Sequence, residues 1–260
     1  MQNVQKLFKE FLDSKVAPVV LPIAAIVTLF GVWEISVWLF KIPAHILPPL
    51  SSVLKAIAPQ APYLLKNSWF TFYTTMLGFI LAVIAGVMLG FLIGYSRLAY
   101  LTLYPILVGF NTIPKVALVP LLAIWFGIGA VPAVITAFSL AFFPIAVNVA
   151  VGLSTVEPEM RDVLHSLGAS DFELFQKVGF PHALPYLFAS LKVAISLAFV
   201  GAVISETVAS NAGVGYLIVS YASSFEVPAA FLCLLLLAVM GVILYSFFAV
   251  LETKLIPWAR

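Results

Sequence analysis

Lys115 and Glu206 are ionisable residues set inside long apolar stretches, and a charge in such a place needs a partner or water. A transport pathway would use them, with Lys115 attracting an anion. The structural alternative puts both near a surface, or pairs them as a staple within the bundle. Asn111, Asn148 and Ser205 could add hydrogen bonds along a pathway, although each also suits a helix contact. The second place for chemistry is polar. Thr155 to Tyr186, TVEPEMRDVLHSLGASDFELFQKVGFPHALPY, carries Glu157, Glu159, Arg161, Asp162, Asp171, Glu173 and Lys177, and polar spacing of this kind between greasy runs points to a surface built for a protein partner. Catalytic and metal-binding residues are not indicated. His165 and His182 stand far apart with no third ligand, and no Ser/His/Asp constellation or phosphate-cradling glycine loop occurs. The single Cys233 reads as a buried thiol packing as a small hydrophobe.

The elements that must position these residues are set by composition. Of 260 residues, 63% are hydrophobic and 9% charged, against about 25% charged in a soluble domain, so the chain is an integral membrane protein. Its apolar runs exceed the ~20 residues that cross a bilayer as helix. The short alternating strands of a barrel do not occur. Six spans with their connections occupy nearly the whole chain. No room is left for a soluble nucleotide-binding or catalytic domain, and nothing points to nucleic acid.

In chain order, Val4, Leu7, Phe8, Phe11 and Leu12 oppose Lys6, Lys9, Glu10 and Asp13, which fits an amphipathic helix on the bilayer surface over residues 1–15 or, equally, a frayed tail. Acidic residues and the length of the following run argue against a cleavable signal. The first span covers about Val16 to Phe40, with Glu34 read as interfacial beside Trp33 and Trp38. A Pro-rich connection reaches residue 66 and has room for one short helix around Ser51 to Ile57. The core, 67–255, then holds five spans. The second, about Ser68 to Tyr95, carries Gly78, Ala82, Gly86, Gly90 and Gly94 at four-residue intervals, a stripe that lets another helix approach closely. The third runs to about Phe126 and is broken by Pro105, Pro114 and Pro120. After a Gly127-Ile128-Gly129 turn, the fourth covers about Val131 to Leu153. The fifth covers about Pro185 to Val208, with Lys192 expected to snorkel. An outer turn at Gly213-Val-Gly215 and a sixth span, about Pro228 to Leu251, precede the tail at 256–260. No internal repeat stands out. Lys6, Lys9, Lys15, Arg97, Arg161, Lys177, Lys254 and Arg260 fall in tails and loops of one face, and Lys41, Lys55 and Lys66 in the first loop of the other, so the positive-inside rule makes the termini and the 155–186 loop cytoplasmic.

Within the loop, about Pro158 to Leu167 and Asp171 to Gly179 are expected as two helical pieces split by Gly168-Ala-Ser170. Ser170 or Asp171 can cap the second piece. Met160, Val163, Leu164 and Leu167 form an apolar stripe that either packs on its own bundle or fills a groove in another protein.

The run Asp162 to Pro185, DVLHSLGASDFELFQKVGFPHALP, resembles the EAA loop of permease subunits of bacterial ATP-binding cassette importers. Leu167 to Ser170, Leu174 to Val178 and Pro181 to Pro185 are similar to the nitrate, sulfonate, taurine and bicarbonate branch. Ile113-Pro-Lys-Val-Ala-Leu-Val-Pro-Leu121, Trp125-Phe-Gly127, and Glu206 with Gly213-Val-Gly-Tyr-Leu217 resemble the same branch. The resemblance spans about Thr71 to Glu252. One departure is Asp162-Val163-Leu164 in place of Glu-Ala-Ala, which keeps the carboxylate and enlarges its neighbours.

The resemblance implies an all-α, MetI-like type I importer permease with a cytoplasmic coupling helix, in which Glu159, Asp162, Leu164, Gly168 and Phe172 are docking and turn residues. It implies a multi-pass protein of the inner (plasma) membrane with no cofactor of its own. The partners implied are two ATPase subunits that bind the ATP, a second permease copy forming a homodimer, and an extracytoplasmic substrate-binding protein. The cargo is expected among small anions (nitrate, sulfonate, taurine or bicarbonate) and vitamin precursors. The competing class is a self-contained channel or ion-coupled secondary transporter. It calls for inverted halves or paired intramembrane carboxylates, which the sequence lacks, and leaves the polar loop without a purpose.

Overall fold

The computed structural model describes Ser14 and residues 16–156 and 158–259, so all but Ser14 of the expected surface helix over 1–15 lies outside the described residues. The described chain is helical: α1 Ala17–Leu39, α2 Leu50–Lys55, α3 Ile57–Tyr95, α4 Arg97–Thr112, α5 Lys115–Phe126, α6 Ala130–Ser154, α7 Pro158–Ser166, α8 Asp171–Leu174, α9 Phe180–Ala209, α10 Val214–Ser223 and α11 Val227–Leu255. A π turn, Phe175–Gly179, joins α8 to α9. Among the described residues five helical stretches are long and apolar enough to cross a bilayer, and α4 with α5, bent by 86° at the break between them, makes a sixth when the pair is taken as one span.

Three expected boundaries move, each for a proline reason. The second span starts at Ile57, eleven residues before the expected Ser68, because Pro59 stands in the first turn, where a helix has no acceptor for the missing N–H. Pro62 is tolerated inside it. In the third span Pro105 and Pro120 lie within intact helices, and only Pro114 breaks it. It holds Ile113 extended, at φ −65 and ψ 127, as a residue before proline prefers. The fifth span is entered from Asp171 through the π turn rather than at Pro185, which sits inside α9. The π turn ends with Phe180 N donating to Phe175 O, directly before Pro181, which has no N–H to offer the preceding turn.

The chain divides into two compact units. The first takes the described residues up to Gln60 together with Tyr221–Leu232. In it Glu34 of α1 accepts from Ser51 N at 3.2 Å and Ser51 Oγ at 2.8 Å, which holds the first turn of α2. Trp33 Nε1 donates to Pro48 O at 3.1 Å. Much of the apolar surface of α1 is exposed, including Ile23, Val27 and Leu29, as a helix solvated by lipid requires.

The second unit, Ala61–Ser220 with Cys233 onward, is built around α6. The glycine stripe of α3 lies directly on it. A Cβ on Gly78 would stand 2.6 Å from Ala137 Cβ, and one on Gly90 would stand 2.7 Å from both Ala146 O and Val149 Cβ. On another side of α6, a Cβ on Gly201 of α9 would reach Ala137 Cα at 3.0 Å. Small residues therefore let α3 and α9 approach α6 at backbone distance, and Ala137, Ala141, Ile145, Ala194 and Ala198 are fully buried there. Lys192 is half-buried and paired with Glu252 of α11 at 2.6 Å instead of reaching for solvent. Cys233 is buried.

Gly90→Leu should lower the unfolding free energy in detergent by at least about 1–3 kcal/mol, because overpacking there pushes on backbone. Gly31→Ala, with open space around it, should instead stabilise by about 0.5–1 kcal/mol, since a helix interior gains from losing glycine. Thermal unfolding followed by size-exclusion chromatography separates the two, and equal midpoints would contradict the packing account.

Candidate functional site

The polar segment between α6 and α9 is an elbow whose corner is fixed by hydrogen bonds. At its first arm's end Leu167 N donates to Val163 O at 3.1 Å and Ala169 N to Leu164 O at 3.0 Å, and Gly168 has φ +83. This is a Schellman stop, in which glycine supplies the left-handed residue. The second arm starts with a capping box. Ser170 Oγ accepts from Glu173 N at 3.3 Å, and Glu173 Oε2 accepts from Ser170 N and from Ser170 Oγ, each at 3.0 Å. Ser170, of the two residues able to cap, is thus the one that does so, and the Ser-x-x-Glu spacing was the signal for it. Lys177 lies 3.7 Å from Glu173 on the exposed face, a pair worth little by itself.

The elbow is seated on the bundle. Phe175 meets Phe91 of α3 edge-on at 5.3 Å, and a Cβ on Gly152 would touch Ala183 Cα at 3.0 Å, so α6 and α9 converge closely beneath it. Thr155 Oγ1 lies 3.3 Å from His182 Nε2. The apolar stripe of α7 does not pack inward: Met160, Val163 and Leu167 are 46%, 59% and 77% exposed. Glu159 is exposed and Leu164 half-buried. Asp162 and Phe172 belong to α7 and α8 by backbone, and their side chains lie outside what the structure describes.

The intramembrane candidates separate. Lys115 and Asn111 come together at the α4–α5 break. Nζ of Lys115 donates to Asn111 Oδ1 at 3.0 Å and also to the Asn111 carbonyl, which is one of the free carbonyls at the end of α4. Both residues line a cavity of about 520 Å³ with Ser139, Trp125 and four phenylalanines of α4 and α6, Phe110, Phe138, Phe142 and Phe143. Lys115 is also the first residue of α5, where the helix already carries partial positive charge, so the cavity holds a local positive potential.

The other three are not on that lining. Asn148 Nδ2 donates to Pro144 O at 2.8 Å, satisfying a carbonyl of its own helix. Ser205 is fully buried, and its Oγ has no hydrogen-bond partner among the described residues. Glu206, 1% exposed, accepts from Thr71 Oγ1 at 2.9 Å and Gly215 N at 3.0 Å, with Thr74 Oγ1 3.5 Å away. The alternative of a Lys115–Glu206 staple is therefore not what the structure forms, since each is held by other groups. Asn67, Thr71 and Thr74 escaped the sequence reading, although their i, i+4, i+7 spacing marks one polar stripe on an otherwise apolar helix.

Chemically, the elbow offers a stiff, exposed apolar and acidic face on one side of the bundle, and the cavity offers an aromatic wall with one cation. Hydrogen bonds from the Ser170 backbone and hydroxyl, and then the Lys177 charge, hold the Glu173 carboxyl below its ordinary 4.5. A depressed value means that the stabilisation is complete above about pH 4.5 and is lost as pH falls through the lower folded-state value. Protection of the 168–174 amides, taken as the exchange rate relative to that of an unstructured chain at the same pH, should accordingly fall on acidification from about pH 6 to about pH 3, and Glu173→Ala should remove that acid-dependent step. An identical pH profile in the variant would show that the carboxylate does not hold the corner.

Comparison with known proteins gives a consistent picture. Residues 82–257 match the family model described as binding-protein-dependent transport system inner membrane component. The formylaminopyrimidine transport permease protein ThiX of Halalkalibacterium halodurans is 28% identical over 232 residues, covering 89% of this chain and 93% of that one. The riboflavin transport system permease protein RibX of Chloroflexus aurantiacus is 32% identical over 228 residues, covering 87% and 85%. Among solved structures, the inward-facing MetNI methionine ABC transporter superposes with a TM-score of 0.67 at 19% identity, over 76% of this chain and 98% of that one.

Proposed function

The chain belongs to the family of binding-protein-dependent transport system inner membrane components, the permease subunits of ATP-binding cassette importers, and from that premise we propose that its 155–186 elbow is where a separate ATPase drives it. It is a transport subunit and not itself an enzyme. The observation that carries the proposal is the exposed stripe of Met160 and Val163 on α7 and Leu167 just past its end, held at a fixed angle by the Gly168 stop. An apolar helix face left unpartnered on a charged element fits a groove in another protein, and a corner with two caps transmits displacement instead of absorbing it. Glu159, Asp162, Leu164, Gly168 and Phe172 are assigned to docking and the turn, in a complex of two permease copies, two ATPases and a substrate-binding protein, with the elbow and both termini cytoplasmic.

The cargo proposed is a small flat heterocycle of the vitamin-precursor kind. An aromatic-walled cavity of about 520 Å³ suits such a body, and the relatives named above carry a formylaminopyrimidine and riboflavin. Lys115 supports a second reading, a small organic anion, because its charge stands at a helix N-terminus in that same cavity. Asn111 shares this role. Asn148, Ser205 and Glu206 take no part in the cavity, and of the three Glu206 alone ties separate helices together.

Reconstitution in proteoliposomes with the ATPase and the binding protein tests the coupling. Gly168 has open space around it, so Gly168→Val acts through the backbone alone, by roughly 1–2 kcal/mol of left-handed strain. ATP-driven uptake should fall by about tenfold or more at unchanged membrane insertion, and Gly168→Asn, which tolerates that conformation, should recover most of it. Normal uptake by the valine variant, or uptake by the permease without ATPase, would sink the proposal. For cargo, Lys115→Met should slow uptake of an anion by about tenfold and leave a neutral heterocycle unaffected. Calorimetry on the cognate binding protein decides which of the two it delivers.

A further inference from the structure

Three consecutive backbone N–H groups open α10, and each is taken by a side chain from elsewhere in the fold. Gly213 N donates to Asn67 Oδ1 at 2.7 Å, Val214 N to Thr71 Oγ1 at 2.9 Å, and Gly215 N to Glu206 Oε2 at 3.0 Å. Thr71 Oγ1 donates in turn to Glu206 Oε2, which closes the group into one network of α3, α9 and the start of α10. Thr71 and Glu206 are buried at 0% and 1% exposure. There is no slack in the arrangement. A Cβ on Gly213, where φ is +103, would stand 2.2 Å from Glu206 Cδ, and one on Gly215 would stand 2.6 Å from Val203 O.

A carboxylate buried in a membrane bundle is costly and needs a compensating charge. No ion pair reaches Glu206 among the described residues. What faces it is the partial positive end of α10, whose Gly215 N donates to it at 3.0 Å. The most expensive side chain in the span thus fixes where a short helix begins. Its place along α9 matters as well. Phe180, at the elbow, and Ala209 bound a helix of 30 residues, about 45 Å long at ~1.5 Å per residue, and Glu206 stands in the last turn, at the end away from the elbow.

We propose that Glu206 is a positioning residue for transport, splicing the Gly213–Gly215 turn onto the far end of α9 and onto α3. Displacement of α9 that originates at the elbow then carries the start of α10 with it. This role rests on the elbow being the driven element, and it assigns a function to the glycine pair and to the Asn67, Thr71 and Thr74 stripe that packing alone does not require.

The test uses the full complex of permease, ATPase and binding protein in lipid, read by deuterium exchange of the segment containing residues 213–215 and by ATP hydrolysed per solute imported. In Glu206→Ala the segment should exchange about tenfold faster or more. The ATP-to-solute ratio should rise about tenfold, with ATPase activity within about twofold of the unaltered complex. Glu206→Gln keeps an acceptor for Gly215 N and should restore both readouts to within about threefold. Should the alanine variant fail to assemble, Thr71→Val removes the acceptor for Val214 and the donor to Glu206 at equal volume, and is expected to give the same two changes. Unchanged exchange, or import and ATPase activity falling together without recovery in Glu206→Gln, would overturn the proposal by leaving Glu206 a fold-holding residue only. Failure of the elbow reading is seen separately, because normal import by Gly168→Val removes the drive at the elbow whatever the 213–215 amides do.

Discussion

Backbone-distance packing of α3 and α9 on α6 is the constraint on which the second unit depends. Inside a bilayer, lipid tails solvate leucine as well as another helix does, so apolar burial drives helices together weakly and close packing must do the work. Gly78, Gly86, Gly90 and Gly94 meet Ala137, Ile145, Val149 and Leu153 at distances no larger residue could share. Gly201 and Gly152 repeat the approach to α9 on another side of α6. Contacts of this kind leave little room for one helix to slide on another, so α3, α6 and α9 form one closely packed layer.

Charges in this greasy scaffold follow a second rule, which is to sit at helix ends. Glu34 lies at the N-terminus of α2, and Glu206 at the N-terminus of α10. Lys115 takes the Asn111 carbonyl at the C-terminal end of α4. Glu34 and Glu206 match the sign of the helix ends they meet, and Lys115, although first in α5, directs its charge at the negative end of α4; the unsatisfied backbone groups there provide hydrogen bonds that apolar side chains cannot. The Lys192–Glu252 pair is the exception that joins two side chains directly. Breaks in helices are therefore not defects in the bundle. They are the places where ionic groups become affordable, and the turn at Pro114 and the glycines at 213 and 215 supply them.

Much of this was legible in the sequence, and the parts that were not have a common cause. Span number, the small-residue stripe and the angular loop with its break at Gly168 follow from period and composition, which act locally. The start of α3 was misplaced because Pro59 and Pro62 read as loop residues, although proline in a first turn costs nothing. Pro105, Pro114 and Pro120 look alike in the sequence, yet only Pro114 breaks the helix. The environment of Glu206 was invisible for a different reason. Its donors are 135 residues away in the chain at Thr71 and nine away at Gly215, and neither pairing is implied by any local pattern. The polar stripe at 67, 71 and 74 did announce that something had to face it.

The elbow gains its mechanical meaning from where it is seated. A lever needs a stiff corner and a fulcrum, and the Schellman stop followed by the Ser170–Glu173 capping box provides the corner. The π turn, which holds a wider and weaker ring of hydrogen bonds than an α-helix, would be the compliant point if it stood free. It does not stand free. Phe175 rests on Phe91 of α3 and on Phe180 of α9 at 6.4 Å, and Gly179 is buried. Under the proposed coupling role, a push on α7 would bear on both α3 and α9 before it could be dissipated as bending at the turn. Both of those helices meet α6 through glycine contacts, the close packing such a role would need.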